Sequence, residues 1–369
     1  MVSWSDVKAI VLAGGFSTRL RPISYALPKL LFPVLGKPTI YWTLDLLRGI
    51  GVTEVVLAVN YLADLLRGEV GFSYKGIEIK YSLENTPLGT GGALRLASEG
   101  TRFDSTFIAI NGDVIADIDL REMLEHHEET KVCLTDALHN VKDPTRFGVA
   151  QLDGGGRITR FVEKPRARKT PSRLANAGIY SIEPEVLHMI PAGRRVSLER
   201  EIFPLLVRDG KLGGFPFTGD WFDIGNVSDY QKANFSLLQK NAKDVVLQGN
   251  NASLATGAVV LPPVILGDGS RVAGTASVGP NVVGGKNELI EGRVKNSILF
   301  DRVTIGEGSV VSGSILATGV RVGRRVRIEP GSIVSPFVQI HDGVKIGRNA
   351  IIHPHKEIEV SIRPGTHVM

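Results

Sequence analysis

The stretch LAGGFSTRLRPISYALPKLLFP, residues 12–33, gathers groups suited to holding an anion. Leu12, Ala13, Gly14 and Gly15 end an apolar run, and glycine, lacking a Cβ, lets backbone N–H groups come close to a ligand. Thr18 adds a hydroxyl, Arg19 a planar fork of donors that fits phosphate, and Lys29 a compact charge framed by Pro28 and Pro33. Together they suit a diphosphate or triphosphate. The loop contains neither GxGxxG nor a GxxxxG followed by Lys-Ser/Thr, so neither a dinucleotide-binding dehydrogenase nor a P-loop ATPase is supported.

A pair of acids extends the list. Asp113 follows the run Phe107–Asn111 after one glycine, at the carboxyl end of an expected strand, where ligands bind in open α/β sheets. Asp223 lies in a second short apolar segment more than a hundred residues later. Two carboxylates on one Mg²⁺, with phosphate oxygens and water completing an octahedron, is the usual way that ion is held at nucleotide sites.

The elements that must position these residues change character along the chain. Up to about residue 240, short apolar runs at Lys8–Leu12, Glu54–Val59, Phe107–Ile110 and Lys131–Leu134 alternate with helical patterns at Pro38–Ile50, Gly91–Ser98 and Leu120–Glu129. That alternation predicts a layered α/β domain with a largely parallel sheet. Val227–Lys240 reads as a closing helix and a hinge element. Beyond it a six-residue beat takes over, with Leu266, Val272 and Val278, then Ile305 and Val311, Val322 and Ile328, and Ile340, Ile346 and Ile352, each followed by a small or polar turn residue. The beat predicts a hexapeptide β-helix rather than a sandwich, which would alternate every two residues. Gly284–Asn296 breaks it and is expected to loop out. The expected domains are residues 1–240 and 241–369.

The pattern LAGGxxTRLRP followed by PKxLxP resembles the signature of the sugar-phosphate nucleotidylyltransferases. The likeness continues in order through Glu84-Asn85-Thr86-Pro87-Leu88-Gly89-Thr90-Gly91-Gly92-Ala93, Asn111-Gly112-Asp113, Phe147-Gly148-Val149, Phe161-Val162-Glu163-Lys164-Pro165, Asn176-Ala177-Gly178-Ile179-Tyr180 and Asp220-Trp221-Phe222-Asp223-Ile224-Gly225. A C-terminal β-helix is common in that family, so the resemblance spans nearly the whole chain. It implies an α/β fold: a Rossmann-like mixed-sheet nucleotidyltransferase domain followed by a left-handed hexapeptide β-helix. The implied reaction is attack by a sugar 1-phosphate oxygen on the α-phosphorus of a nucleoside triphosphate, giving a nucleotide sugar and pyrophosphate. Such a displacement calls for charge neutralisation and in-line positioning more than for a protein nucleophile.

Carried over residue by residue, the resemblance makes Asp113 and Asp223 the Mg²⁺ ligands, Arg19 the grip on the departing pyrophosphate and Lys29 the support of the α-phosphate. Glu163 is implied to accept hydrogen bonds from sugar hydroxyls and Lys164 to meet the sugar's phosphate, with Gly148 and Asn176 as further sugar contacts. Ser17, Glu84, Pro87, Gly89, Thr90 and Gly112 complete the nucleotide side. The stretch ENTPLGTGGA is more similar to the base loop of guanylyltransferases acting on mannose 1-phosphate or heptose 1-phosphate than to the glutamine-containing loops of thymidylyl and uridylyl enzymes. A carboxylate such as Glu84 suits the N1–H and N2–H donors of guanine. Ser197-Leu198-Glu199-Arg200-Glu201-Ile202-Phe203-Pro204 adds to the likeness with the mannose branch. The expected partners are GTP and mannose 1-phosphate.

Three alternatives stand beside this expectation. A thymidylyl- or uridylyltransferase for a glucose-type 1-phosphate is the nearest. Acetyl transfer on the β-helix would use His341, His353 or His355 as base, with Arg321, Arg324, Arg325 and Arg327 toward coenzyme A phosphates. A silent paralogue that only binds a nucleotide sugar is favoured by Ser17 and opposed by the retention of Arg19, Lys29, Asp113, Lys164 and Asp223. Ser17 stands where the family has glycine, and at a positive φ it would be strained by about 1 kcal/mol. Leu30 stands where proline often follows the lysine, with little expected consequence.

Composition narrows the classes further. The 369 residues carry a net charge of +5, which suits an anionic small ligand. No RNA-binding aromatic motif or basic tail is present, so no nucleic acid partner is expected. The run Arg166, Arg168, Lys169 and Arg173 reads as a solvated loop. Cys133 is the only cysteine, which excludes an intrachain disulfide and a cysteine-based zinc cluster. No run of eighteen apolar residues and no signal-peptide plan occur, which predicts a cytoplasmic protein without a membrane segment. The flat faces and open ends of a β-helix suit self-association, so a homo-oligomer is expected.

Overall fold

Lys8–Leu12 (β1) is buried from Ala9 to Leu12, the pattern of a strand covered on both faces. In the computed structural model, which describes residues 7–15, 17–60, 62–166, 170 and 172–369, it lies at the centre of a ten-stranded sheet. Glu54–Val59 (β2) flanks it in parallel on one side, followed by Ile77–Leu83 (β3), and Phe107–Asn111 (β4) flanks it in parallel on the other. After a two-residue turn the chain forms Val114–Ala116 (β5), apart from this sheet.

Beyond β4 the sheet becomes antiparallel. Leu134–Asn140 (β6), Gly148–Leu152 (β7), Ile158–Glu163 (β8) and Leu174–Ile182 (β9) form this half, with β9 pairing to β4, β6 and β7 and β8 pairing to β7. Leu212–Phe217 (β10) returns parallel to β6. The sheet is thus mixed, as the resemblance implied, and only its first half has the parallel order expected from alternation. The strand expected at Lys131–Leu134 instead begins at Leu134, because Lys131 is the left-handed cap of the preceding helix, φ 51°. A last short strand, Trp221–Asp223 (β11), pairs with β5.

Thr39–Gly49 (α1), Gly89–Glu99 (α2) and Leu120–Thr130 (α3) are the principal helices. Asp119 starts α3 by accepting the N–H groups of Arg121 and Glu122 at 2.8 and 3.1 Å. The core of this unit includes Ile10, Leu12, Leu134, Leu138, Tyr180, Leu198 and Phe203. Burial of each aliphatic side chain there stabilises the fold by about 1.5–3 kcal/mol.

These elements make one compact unit, the described part of Met1–Phe16 together with Thr39–Asp223; Ser17–Pro38 and Ile224–Met369 make a second. The second unit is a parallel β-helix of three sheets. Val272, Ile290, Ile305, Val322, Ile340 and Ile358 stack in one buried column, and Val278, Val294, Val311, Ile328 and Ile346 in another. Leu299, Leu316, Val334 and Ile352 form the third. Gly284–Asn296 does not loop out: Leu289–Ile290 and Arg293–Lys295 join the sheets. The beat falters there because the coil from Ile290 to Ile305 is three residues shorter than that from Val272 to Ile290.

Val227–Ala242 (α4) belongs to this second unit. Asn226 caps it by accepting the Asp229 N–H at 2.9 Å. Phe32 lies 5.6 Å from Tyr230 and 5.8 Å from Phe300, the Tyr230 hydroxyl donates to Pro33 O at 2.5 Å, and Asn234 accepts the Leu35 N–H at 3.0 Å. Residues 17–38 are therefore fastened to α4 and the β-helix. Among the described residues no helix is long and apolar enough to cross a membrane.

Candidate active site

The Asn111-Gly112-Asp113 turn closes over the end of β1, with the Gly112 N–H donating to Leu12 O at 2.9 Å. In the following ribbon Val114 lies opposite Asp223, Ile115 opposite Phe222 and Ala116 opposite Trp221. Asp117 N–H extends the ladder to Asp220 O at 2.8 Å. The pairing thus sets Asp223, more than a hundred residues later in the chain, opposite the residue that follows Asp113. Both acids are half-buried.

The ribbon is pinned from behind. Trp221 Nε1 donates to Ala177 O at 3.0 Å, and the indole lies 5.1 Å from Phe147 and 5.5 Å from His139. His139 Nε2 bonds Gly219 O at 3.0 Å. Half-buried oxygen donors gathered at one turn are the donor chemistry Mg²⁺ takes.

Glu84 follows β3 and is only 4% exposed. Its Oε2 accepts the Leu88 N–H at 2.9 Å, whereas Oε1 is buried with no hydrogen-bond partner among the described residues. Oε1 lies against Gly14, so close that a Cβ there would collide with it. Gly14 is glycine because this carboxylate occupies the space of a side chain. Burial pushes the Glu84 carboxyl up, opposed by the Leu88 hydrogen bond.

The stretch that follows, Gly89–Gly92, is held by Val196–Glu199. Gly91 and Gly92 donate to Val196 O at 2.9 and 3.2 Å. Gly89 has φ 72°, and a Cβ would stand 2.6 Å from Val196 O. Thr90 Oγ1 donates to Glu199 Oε2 at 2.8 Å and accepts the Leu198 N–H at 2.9 Å. Leu12, Ala13, Gly14, Glu84 and Gly112 therefore collect at the strand ends; Gly89 and Thr90 secure the loop, and Pro87 is exposed.

Three adjacent strands assemble the residues expected to meet the sugar phosphate. Gly148 on β7 lies opposite Glu163 on β8, and a Cβ at Gly148 would stand 2.8 Å from Glu163 Oε2. Lys164 N–H donates to Phe147 O at 3.0 Å, and its exposed Nζ lies 3.7 Å from Glu163 Oε1. On the other edge of β7, Val149 pairs with Ala175, bringing Asn176 alongside. Asn176 Oδ1 accepts the Gly178 N–H at 2.6 Å, and Nδ2 donates to the Tyr180 hydroxyl at 3.1 Å. Gly178, at φ 73°, makes the irregularity in β9, with Asn111 Nδ2 only 2.5 Å from the position of a Cβ. Burial raises the Glu163 pKa, the charge of Glu199 raises it further, and Lys164 and Arg200 oppose both.

In the second unit Ser17 sits in the left-handed region at φ 47°, so the strain argument applies to it. Ser24 Oγ donates to Ser17 O at 2.9 Å. Thr18 and Arg19 are exposed on a short turn, and Lys29 is half-buried. His341 bonds Glu357 at 2.7 Å, the His353 ring lies tilted 5.7 Å from Tyr25, and His355 stacks on Phe337. Arg166 and Arg173 are exposed, and Arg168 and Lys169 lie outside the described residues.

Two acids escaped the sequence reading. Asp136 on β6 is fully buried, and neither carboxylate oxygen has a hydrogen-bond partner among the described residues. Its signal was the two-residue alternation Leu134-x-Asp136-x-Leu138, which puts an acid on the core face. Glu199, quoted within a motif but given no role, joins Thr90 to the neighbourhood of Glu163 and Asp136.

The Nucleotidyl transferase family model matches residues 8–240, and the GMPPB C-terminal domain model matches residues 259–368. A mannose-1-phosphate guanylyltransferase of Mycobacterium tuberculosis is 34% identical over 83% of this chain and 83% of its own. A UTP–glucose-1-phosphate uridylyltransferase of Synechocystis is 31% identical over 82% of this chain and 85% of its own. The crystal structure of HddC from Yersinia pseudotuberculosis complexed with GMP-PN is 28% identical, with a TM-score of 0.53, covering 63% of this chain and 99% of that one. The chain belongs to the nucleotidyl transferase family.

Proposed function

We propose that the protein transfers the guanylyl group of GTP to mannose 1-phosphate, forming GDP-mannose and releasing pyrophosphate. The observation that carries the choice of base is Glu84, whose buried Oε1 lies at the strand ends against Gly14 and has no hydrogen-bond partner among the described residues. A buried acceptor without a donor is costly, and a guanine N–H supplies the missing donor. The names of the Mycobacterium relative and the C-terminal family model, and the GMP-PN bound to HddC, support the same base.

In the reaction a phosphate oxygen of mannose 1-phosphate attacks the α-phosphorus, and the bond to the bridging oxygen of pyrophosphate breaks. Lys164 meets the attacking phosphate, Glu163 and Asn176 orient the sugar through its hydroxyls, and Gly148 lets the ring approach the backbone. Arg19 grips the departing pyrophosphate and Lys29 neutralises the α-phosphate. Asp113 and Asp223 would hold Mg²⁺, which when bound supplies charge neutralisation at the phosphate oxygens.

Affinities for GTP, UTP and dTTP, measured by titration calorimetry on the wild type and Glu84→Gln, test the base. GTP is expected to bind at least about tenfold tighter than the others, and Glu84→Gln to lose about tenfold for GTP alone, the worth of one charge-assisted hydrogen bond. A wild type that prefers UTP or dTTP would instead support the second reading, a glucose-type uridylyl- or thymidylyltransferase, which the Synechocystis relative favours.

A further inference from the structure

One corner of the β-helix is lined in succession by Phe300, Ala317, Ser335 and His353, each the residue after a stacked strand of the third column, with Gly284 at the same corner one coil earlier. Residues 25–36 meet this corner in reverse order. A Cβ at Gly36 would stand 3.1 Å from Gly284 O, the Phe32 ring lies 5.8 Å from Phe300, and the Tyr25 ring lies 5.7 Å from His353. Neighbouring strands stack about 4.8 Å apart, so the coils of Phe300 and His353 are separated by about 14 Å, and the segment runs lengthwise along the β-helix. Ala317 and Ser335, between the two aromatic contacts, are fully buried.

Tyr25 is tied in turn to the turn that carries Arg19. The Arg21 guanidinium lies over the Tyr25 ring, 4.8 Å from its centroid. Ser24 Oγ donates to Ser17 O at 2.9 Å, and the Leu20 N–H donates to the same carbonyl at 2.9 Å. Thr18 and Arg19 are exposed on that turn.

We propose that this corner of the β-helix positions the phosphate-gripping turn: His353 seats Tyr25, and Tyr25, through Arg21 and the Ser24–Ser17 bond, fixes where Arg19 stands. This rests on the reading that Arg19 grips pyrophosphate. His353 and Tyr25 are positioning residues, acting through Arg19 rather than on the substrate. A side chain more than three hundred residues away in the chain thereby tunes the grip on the leaving group. An aromatic pair of this kind is worth about twofold to tenfold in an equilibrium.

Pyrophosphorolysis of GDP-mannose, or of whichever nucleotide sugar the wild type forms, reads the grip as KM for pyrophosphate. His353→Ala is expected to raise it about fivefold, with the forward KM for mannose 1-phosphate within about twofold of the wild type. His353→Phe keeps a ring beside Tyr25 and restores the wild-type value. Tyr25→Leu raises the pyrophosphate KM at least as much, and adding His353→Ala to it raises the value no further. Tyr25→Leu also carries the test should His353→Ala fail to fold. An unchanged pyrophosphate KM in both single variants, a rise shared equally by KM for mannose 1-phosphate, or rises that multiply in the double variant would overturn the positioning role. If Arg19→Lys leaves the pyrophosphate KM unchanged, or the wild type catalyses no pyrophosphorolysis, the reading of Arg19 on which the role rests is overturned instead.

Discussion

Exchanging Asp136 for valine is expected to stabilise the protein, and to do so more strongly as the pH rises. The carboxyl is fully buried between Leu134 and Leu138 and opposite Tyr180, with no hydrogen-bond partner among the described residues. Leaving a polar group buried and unpaired costs about 1–3 kcal/mol, and a buried valine gains about 1.5 kcal/mol, from which tight packing subtracts about 1. The net gain is about 2 kcal/mol, or about 4–8 °C in Tm for a unit of this size. Burial, and then the charge of Glu199, push the Asp136 pKa well above its ordinary 3.8. The folded state therefore binds more protons than the unfolded state from about pH 4 upward, and stability falls with rising pH until the folded pKa is passed. Valine removes that loss, so its advantage is smallest near pH 4 and largest near pH 8. Asp136→Asn, which keeps the shape without the titration, should flatten the pH dependence with little gain at low pH. Urea unfolding at pH 4.5, 6 and 8 measures both. Destabilisation by valine at every pH, or an unchanged slope in the asparagine variant, would refute the reasoning and show that the carboxylate has a partner.

Other expectations follow from the same geometry. Asp113→Asn and Asp223→Asn should each lower Mg²⁺-dependent kcat by about 10²–10³ while thermal unfolding stays near that of the wild type, as expected for electrostatic groups at the reacting phosphate. Ser17→Gly should raise stability by about 1 kcal/mol in chemical denaturation, because Ser17 holds φ 47°, and should not lower kcat.

What the sequence made legible followed from whether the signal was local. Lys8–Leu12, Glu54–Val59 and the buried β-helix columns are short apolar patterns, and they formed where expected. The motifs of the candidate site were legible as residue types in order. Their assembly was not, because the pairing of Val114 with Asp223 joins segments whose sequences carry no mutual mark. Residues 17–38 likewise gave no sign of their anchorage: Phe32, Tyr230 and Phe300 are single aromatics without periodicity. The short coil after Ile290 hid two strands behind a broken beat. Thr90 read as a nucleotide contact through the resemblance alone, because its hydrogen-bond partner Glu199 lies more than a hundred residues away.

The most direct test of the account is pyrophosphate release with Mg²⁺ across ATP, GTP, CTP, UTP and dTTP paired with the 1-phosphates of mannose, glucose, galactose and N-acetylglucosamine. The account predicts release that depends on both substrates and is fastest with GTP and mannose 1-phosphate. Release from no pair would contradict the assignment of Arg19, Lys29, Asp113, Lys164 and Asp223 to nucleotidylyl transfer.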